Sequence, residues 1–449
     1  MKVVAVGDRP ELTGADIRGL VTAGFVLRCL VGILTPVPAE DGVNYLWMAQ
    51  RFAEGDAAAA LSEVFPPGLP LLLTPFLALG IDPFRTAQVA LAFFGALALW
   101  PCVRIAERVA PSHAMSVGWL FALLPLGVRF CGEIYTEPVF ATLVAAGLLA
   151  FLRDRPLVGG LWASAAFLFR PEAIALSLAG LAQSGWRGLR GVVPLLLVAP
   201  LLAWWRSANG RPFDLLPKLE FNAARGDAAW SFDGLHVDRV LDNLIALPGA
   251  MFEAWWVVFA LGIWGMIVGR DDRRVRTATV ILIAATAAVL LFLTRRRFFV
   301  GWSPLLAVMV PHAFLAMRTR AHYPLMCASV VVMLLGCLRV DHGYRHGEVV
   351  IGTWVGSMLR DGETVSGDLT RVLWFAGQRP LAPRHFRAEE LIEMASAPNV
   401  RFVVLGERRA TTTAVLEGLA DRFERTGMPE RERRAAELRG IVVLERKGP

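Results

Sequence analysis

Carboxylates and arginines at the ends of apolar segments are the residues of this sequence best suited to chemistry. Asp41 follows the first apolar segment, and Glu40 directly precedes it. A carboxylate at such a position predicts a general base at a membrane surface. The alternative is that Asp41 caps a helix predicted over 43–52, because an aspartate before a helix accepts hydrogen bonds from unpaired backbone amides.

Three adjacent arginines, Arg295, Arg296 and Arg297, depart from the charge pattern of the rest of the chain. They are predicted to lie on the opposite side of the membrane from the other basic clusters. Guanidinium groups bind phosphate oxygens in a bidentate geometry. The triplet therefore predicts a site for a lipid-linked phosphate, and contact with lipid headgroups is the alternative.

Further ionisable residues fall at the same predicted level as Asp41. They are Arg129, Glu133, Glu137, Arg170, Glu172 and Glu253. Ionisable groups at membrane depth are costly unless they are paired or hydrated, so the group predicts a water-filled cavity. A capping role before Pro138 accounts for Glu137 equally well. Arg28, in the middle of an apolar segment, is explained as well by snorkelling or by a partner on a neighbouring helix.

The composition defines the class of protein that must position these residues. Of the 449 residues, 55% are hydrophobic and 19% are charged, and the mean hydropathy is +0.50. These values do not fit a soluble globular chain of this length. Only helices and closed barrels satisfy the backbone inside lipid, and the period-two alternation of a barrel is absent. The sequence therefore predicts an all-α polytopic membrane bundle.

About eleven crossings are predicted. They are 18–38, 84–103, 112–130, 137–152, 156–169, 171–184, 188–206, 246–269, 276–294, 299–317 and 322–339. Segment 68–80 is too short to cross and contains Pro70 and Pro75, so it is predicted to be shallow or re-entrant. If 156–184 is a single crossing instead of two, the C-terminal region moves to the other side of the membrane.

Basic residues set the predicted orientation. Most short loops rich in arginine lie on the same side of the membrane as the N-terminal segment 1–17. This side is predicted to be the cytoplasm, and the membrane is predicted to be the plasma (inner) membrane. The bundle is predicted over 18–339, with outer loops at 39–83 and 207–245. The five cysteines lie in or beside apolar segments and His236 has no partner at metal-ligand spacing, so no metal site is predicted.

A change of composition after residue 339 predicts a small extracytoplasmic α/β domain over 340–449. Strands are predicted at Thr364–Gly367, 401–405 and 441–445, and helices at 349–359, 387–395 and 411–425. The domain has no glycine-rich phosphate loop and nearly balanced charges. Neither nucleotide nor nucleic-acid binding is therefore predicted.

Four motifs, in this order, resemble those of the GT-C-fold membrane glycosyltransferases, the group of the protein O-mannosyltransferases and the lipid A aminoarabinose transferase. They are Asp41-Gly42-Val43-Asn44-Tyr45 with the later Phe65-Pro66-Pro67-Gly68, Tyr135-Thr136-Glu137-Pro138, Phe169-Arg170-Pro171-Glu172-Ala173, and Arg296-Arg297-Phe298-Phe299 with Pro304. The resemblance covers roughly 18–340. No single motif is specific, and their order carries the resemblance.

Two departures from the family pattern affect the predicted site. Many relatives have Asp-Glu in the first loop, whereas this chain has Asp41 followed by glycine and preceded by Glu40. The choice of Asp41 over Glu40 as base therefore depends on the spacing to Tyr45. Some relatives have a lysine before Pro-Pro, where this chain has Phe65, so phosphate binding must depend more on the arginine triplet.

The resemblance implies inverting transfer of a hexosyl or pentosyl group from a polyprenyl-phosphate donor to an acceptor hydroxyl on the extracytoplasmic side, with no cofactor required. It implies roles for a set of residues: Asp41, Glu137 and Glu40 in catalysis, Arg295, Arg296, Arg297 and Arg170 in donor phosphate binding, and Tyr45, Glu172, Arg129 and Glu253 in substrate binding. The acceptor is a lipid, a glycan or a protein.

Transport or flipping of a lipid-linked or anionic substrate is the first competing function, because a secondary carrier also gathers charges in a cavity between helices. A non-catalytic assembly or scaffold protein is the second. Such carriers usually contain two related halves, and the sequence has no repeat of that kind. The sequence therefore favours the transferase over the carrier.

Overall fold

The computed structural model describes residues 12–62, 64–211, 230–231, 234–292, 294–317, 319–339, 343–378, 388–407 and 412–447. The predicted outer loop 207–245 lies partly outside these residues. Contacts divide the chain into two compact units. The first unit comprises 1–34 and 49–339, and the second comprises 35–48 and 340–449.

Helices dominate the described residues up to position 339. They are α1 (Gly14–Ile33), α2 (Glu40–Ala53), α3 (Ala57–Ala60), α4 (Gly68–Leu77), α5 (Pro83–Leu97), α6 (Leu99–Glu107), α7 (Ala114–Ala122), α8 (Pro125–Glu133), α9 (Glu137–Phe151), α10 (Pro156–Phe167), α11 (Ile174–Ser184), α12 (Val193–Ala208), α13 (Val237–Trp255), α14 (Val257–Val268), α15 (Arg273–Phe292), α16 (Arg296–Val300), α17 (Leu306–Ala316) and α18 (Thr319–Leu338). The strands β1 (Trp230–Ser231) and β2 (Gly234–Leu235) form a short antiparallel hairpin.

Prolines mark several helix starts in the first unit. Pro125, Pro138 and Pro156 lie in the first turns of α8, α9 and α10. Proline is favoured there because its missing N–H has no helical partner at that position and its φ angle is already helical. The predicted crossings 137–152 and 156–169 accordingly match α9 and α10 closely.

Two predicted crossings are bent. Segment 112–130 is interrupted between α7 and α8, whose axes differ by 42°. Segment 246–269 is not one continuous helix, because α13 and α14 meet at Trp256 with a bend of 110°. Trp256 has φ +49°, a backbone conformation that ends a right-handed helix. Neither glycine nor proline stands at this position, so the sequence pattern gave no indication of the break.

The lengths of the apolar helices define what the first unit can span. Among the described residues four helical segments are long and apolar enough to cross a membrane, or six if each bent pair counts as one span. Shorter apolar helices of 10–17 residues, including α4, α9 and α10, accompany them. The chain is therefore a helical membrane protein, and the number of eleven crossings stays a prediction.

Glycines allow two helices of the first unit to pack closely. A Cβ atom added at Gly265 in α14 would lie 1.9 Å from the carbonyl oxygen of Met309 in α17, and one at Gly262 would lie 2.7 Å from Leu306. Small residues at helix contacts allow backbones to approach inside lipid. On other faces Leu197, Ile283 and Leu335 are well exposed, as lipid contact requires.

The C-terminal part of the second unit is a sheet between helices. Its elements are α19 (Gly343–Met358), β3 (Thr364–Gly367), α20 (Thr370–Phe375), α21 (Ala388–Ser396), β4 (Val400–Gly406), α22 (Thr412–Leu419), β5 (Phe423–Arg425), α23 (Glu430–Arg439) and β6 (Ile441–Arg446). The strand order is β3-β4-β6-β5, with β3 parallel to β4 and the other pairs antiparallel.

Side chains alternate along β4 between two apolar layers, one on each face of this sheet. Phe402 and Val404 join the layer that includes Ile351, whereas Val403 and Leu405 join the layer that includes Leu391. Alternation of this kind is the side-chain geometry of a strand covered on both faces. The prediction of a small C-terminal sheet with helices is confirmed.

Two local predictions were wrong in their boundaries. The helix predicted over 411–425 ends at Leu419, and Phe423 begins β5. The helix predicted over 43–52 begins at Glu40, so Asp41 lies in its first turn and not at the N-cap. A negative charge in the first turn is still favourable, because it faces the positive end of the helix dipole.

The close approach at Gly265 predicts an unequal effect of two glycine substitutions. Gly265→Ala forces α14 away from Met309, and we expect it to destabilise the protein by about 1–3 kcal/mol. Gly249→Ala in α13 meets no atom within 4 Å and is expected to be neutral or slightly stabilising. Thermal unfolding in detergent measures both, and equal melting temperatures for the two variants would contradict the close packing.

Candidate active site

The proline-proline-glycine motif contacts the Arg-Pro-Glu turn within the first unit. The backbone N–H of Gly68 donates to the carbonyl oxygen of Leu168 over 2.8 Å. A Cβ atom at Gly68 would lie 2.6 Å from that same oxygen, so only glycine fits this approach without a shift. The start of α4 is therefore attached beside Arg170, although 100 residues separate the two motifs in the sequence.

Arg170 is the centre of the candidate site. Its Nη1 donates to Oε1 of Glu137 over 2.6 Å, and its Nε donates to Oε1 of Glu172, also over 2.6 Å. Arg170 is 7% exposed and Glu137 is 1% exposed. Burial removes the Arg170 guanidinium and its carboxylate partners from water, which is costly for isolated charges. Their ion pairs and hydrogen bonds compensate for this lost hydration. The pairing fixes the first turn of α9 against the turn that precedes α11.

Arg170 and Arg297 both contact the ring of Phe298. The guanidinium of Arg170 lies 5.0 Å from the ring centroid of Phe298, and that of Arg297 lies 5.2 Å from the same ring. Arg297 also lies 5.9 Å from the ring centroid of Tyr135. Aromatic faces attract cations, so these rings stabilise two guanidinium groups whose like charges repel each other.

The three arginines of the basic motif have different surroundings. Arg297, in α16, is partly buried against the aromatic rings, whereas Arg295 is exposed. Nη1 of Arg296 lies 3.0 Å from Oε2 of Glu253, and both side chains are more than half exposed. The indole N–H of Trp255 donates to the carbonyl oxygen of Phe299 and so supports the short helix that presents Arg297.

A second pair lies on α8, close to Tyr135. Nη2 of Arg129 lies 3.6 Å from Oε1 of Glu133, one helical turn further along, and the Glu133 carboxylate is buried. The ring of Phe130 lies 4.6 Å from that of Tyr135. The first unit therefore gathers most of the predicted charged residues around the start of α9.

The acidic residues of the first motif belong to the second unit. Oε1 of Glu40 lies 3.7 Å from Nη2 of Arg371 in α20. Asp41 is partly exposed in the first turn of α2, and Tyr45 is buried one turn further along. Their predicted catalytic and substrate-binding roles stay predictions.

Sequence reasoning did not single out three of the contacting residues. Tyr135, Phe140 and Phe298 lie over or beside the arginines, and the first and last of them stand within the quoted motifs. An aromatic residue next to a charged one in a motif was the available signal. Arg371 had no such signal, since its contacts join residues far apart in the sequence.

Comparisons with known proteins identify the fold of this chain. No protein-family model matches the chain, and no curated protein matches its sequence. The crystal structure of ArnT from Cupriavidus metallidurans bound to undecaprenyl phosphate matches with a TM-score of 0.67 and 16% identity, over 96% of this chain and 98% of that chain. Its apo state matches with a TM-score of 0.67 and 15% identity, over 95% and 97%.

A third solved structure is also similar. The cryo-EM structure of a mutant of the arabinofuranosyltransferase AftD from Mycobacteria matches with a TM-score of 0.52 and 15% identity, over 98% of this chain and 42% of that chain. At these identities the likeness establishes the fold. The GT-C fold implied by the sequence resemblance is confirmed, since ArnT and AftD are membrane glycosyltransferases of that group.

The contrast between the buried and the exposed arginine pair predicts different costs of removal. Arg170→Ala leaves Glu137 buried without its cation, and we expect a loss of about 3–5 kcal/mol. Arg296→Ala removes an exposed pair and is expected to cost at most about 1 kcal/mol. Chemical unfolding in detergent tests this, and a cost of Arg170→Ala no larger than that of Arg296→Ala would show that the buried pair does not hold α9.

Proposed function

We propose that this chain is a GT-C-type membrane glycosyltransferase that moves a sugar from a polyprenyl phosphate to an acceptor hydroxyl. The observation that carries the proposal is the convergence of the Tyr-Thr-Glu-Pro, Arg-Pro-Glu and Arg-Arg-Phe-Phe motifs around Arg170 and Arg297. The likeness in fold to ArnT, whose structure holds undecaprenyl phosphate, supports a lipid-linked donor.

The proposed reaction is a single displacement at the anomeric carbon. The acceptor oxygen attacks that carbon while the bond from the carbon to the phosphate oxygen breaks, and the bonding electrons leave with the polyprenyl phosphate. The acceptor proton passes to a carboxylate, which later returns it to water. One displacement inverts the anomeric configuration. Because phosphate is already a good leaving group, this chemistry requires no cofactor.

Asp41 is proposed as the general base. A positioned carboxylate of this kind accelerates proton transfer by about 10²–10⁴-fold. Its partial exposure at the start of α2 is compatible with access for an acceptor. Tyr45, Arg129 and Glu253 are proposed to contact substrate.

Arg297 is the proposed principal ligand of the donor phosphate. It is partly exposed, and aromatic faces orient its guanidinium. Positive charge placed where the leaving phosphate develops its charge is often the largest contribution to catalysis. Arg295 and Arg296 extend the positive surface beside it.

Arg170 is proposed to attract the same donor phosphate through its positive charge close to Arg297. The carboxylates of Glu137 and Glu172 engage its Nη1, Nε and Nη2, and its charge remains close to that of Arg297. Glu137 is proposed to orient the acceptor or the base through this pair. Glu172 completes the charge balance around Arg170.

The proposed location is the plasma (inner) membrane, with the N-terminus in the cytoplasm and the C-terminal domain outside. A cysteine introduced at Gly427, an exposed position of the C-terminal domain where an added Cβ atom meets no neighbour within 4 Å, tests this orientation when it is labelled from one side with an impermeant reagent. Labelling from outside is expected, and labelling only after the membrane is permeabilised would reverse the proposed orientation.

The central functional test is transfer by the purified protein. Incubated with a panel of polyprenyl-phosphate sugars, the protein is expected to release polyprenyl phosphate from at least one of them as the sugar passes to an added acceptor hydroxyl or to water. Asp41→Asn should lower kcat by about 10²–10⁴-fold. Glu54→Gln, at an exposed carboxylate of the same region paired with Arg51, is the matched control and should leave kcat unchanged.

Arg297→Gln is expected to lower kcat/KM for the donor by about 10²-fold, because the leaving phosphate loses its cation. Full activity of both the Asp41 and the Arg297 variants would exclude the proposed mechanism. Protein-dependent movement of an intact lipid-linked sugar across a vesicle membrane, without cleavage, would favour a carrier instead.

A further inference from the structure

The C-terminal domain and the acidic start of α2 form one compact unit. Residues 35–48 group with 340–449, although about 290 residues lie between the two segments. Both Glu40 and Asp41 lie in this shared unit. The sequence left open which of these two carboxylates is the base and assigned no catalytic role to the C-terminal domain.

Arg371 connects the two segments. Its Nη2 lies 3.7 Å from Oε1 of Glu40 at the start of α2. On its other side Nε lies 2.5 Å from Oε2 of Glu348, and Nη2 lies 2.9 Å from Oε1 of Glu348. Arg371 is 7% exposed, whereas about half of the Glu40 side chain is exposed.

Glu348 fixes the orientation of Arg371. The carboxylate is 2% exposed and receives a second guanidinium, that of Arg439 in α23. Burial raises the pKa of Glu348, but the hydrogen bonds and charges of Arg371 and Arg439 outweigh it and hold the pKa below its ordinary value. Glu348 is therefore charged at neutral pH, and a bidentate pair to a planar guanidinium sets both its position and its plane.

This geometry separates the roles of the two adjacent carboxylates. Glu40 lies beside the Arg371 guanidinium, and the hydrogen bonds from Arg371 to Glu348 fix the position of that guanidinium. We propose that Arg371 is a positioning residue, which anchors Glu40 and thereby fixes the first turn of α2, so that Asp41 and not Glu40 acts as the base. This inference rests on the proposed glycosyl transfer for its catalytic part. The C-terminal domain then contributes to the reaction by positioning the start of α2, which carries Asp41.

Arg371 could stabilise the C-terminal domain without anchoring Glu40, so the experiment must distinguish these two roles. Arg401 provides the matched control, because its guanidinium also binds two carboxylates in this domain. Its Nη1 lies 3.0 Å from Oε2 of Glu363, and its Nη2 lies 3.0 Å from Oε1 of Glu445. Glu40 is not among these partners. Arg401→Gln therefore removes a comparable pair of ionic contacts from the domain without touching the proposed anchor.

Two readouts on the full-length protein in detergent test the proposal. Hydrogen–deuterium exchange of the amides in 40–48 reports anchoring without any need for activity. Steady-state kinetics with a polyprenyl-phosphate sugar report kcat and the KM for the donor. The variants are Arg371→Gln, the conservative Arg371→Lys, Glu40→Gln, the double variant Glu40→Gln/Arg371→Lys, and Arg401→Gln.

Arg371→Gln is expected to accelerate exchange over 40–48 and to lower kcat by about 10²-fold, as a small misplacement of a catalytic group does. The donor KM should stay within about threefold, because removal of an interaction that serves only the transition state changes kcat. Arg371→Lys should restore part of kcat. In the Glu40→Gln background Arg371→Lys should have little further effect, because contacting residues are non-additive.

Three results would overturn the proposal. The first is equal effects of Arg371→Gln and Arg401→Gln on exchange over 40–48 and on kcat, which would reduce Arg371 to a stabiliser of the domain. The second is loss of transfer in Glu40→Gln as complete as in Asp41→Asn, which would make Glu40 the base. The third is unchanged exchange over 40–48 in Arg371→Gln. If neither the wild-type protein nor any variant transfers sugar, the proposed function is wrong. The exchange data still decide whether Arg371 anchors α2.

Discussion

The buried pairing of Arg170 with Glu137 and Glu172 is the interaction on which the first unit depends. The guanidinium of Arg170 is buried, and a buried charge is costly unless it is paired with an opposite charge. Glu137 and Glu172 supply two carboxylates. This requirement holds the start of α9 and the turn before α11 in one arrangement. The same arrangement presents Phe298 to both Arg170 and Arg297, so the polar contacts and the aromatic contacts support each other.

Much of this site was predictable because its residues stand at helix ends next to proline. Proline in a first turn fixes where a helix begins, and so Glu137 and Arg170 could be placed at the same level of the bundle from the sequence. The pairing of these two residues was not predictable, because it depends on tertiary packing. The contacts of Arg371 were missed for the same reason, since its partners Glu40 and Glu348 are remote in the sequence.

The fold was predictable where local chemistry is strong. Apolar helices of the first unit and the β-branched runs of β4 and β6 follow from hydrophobic pattern and propensity. Two features escaped this reasoning. The 110° bend at Trp256 has no glycine or proline to indicate it, and the short strand β5 is set by pairing with β6 and not by its own composition.

The proposed transfer requires that an anionic lipid phosphate binds where the arginine and aromatic motifs converge. A structure of the protein determined with a polyprenyl phosphate bound tests this requirement most directly. We expect a phosphate oxygen within hydrogen-bond distance of the Arg297 guanidinium, beside the rings of Tyr135 and Phe298. A phosphate bound elsewhere, with Arg297 directed away from it, would exclude Arg297 as the ligand of the donor phosphate.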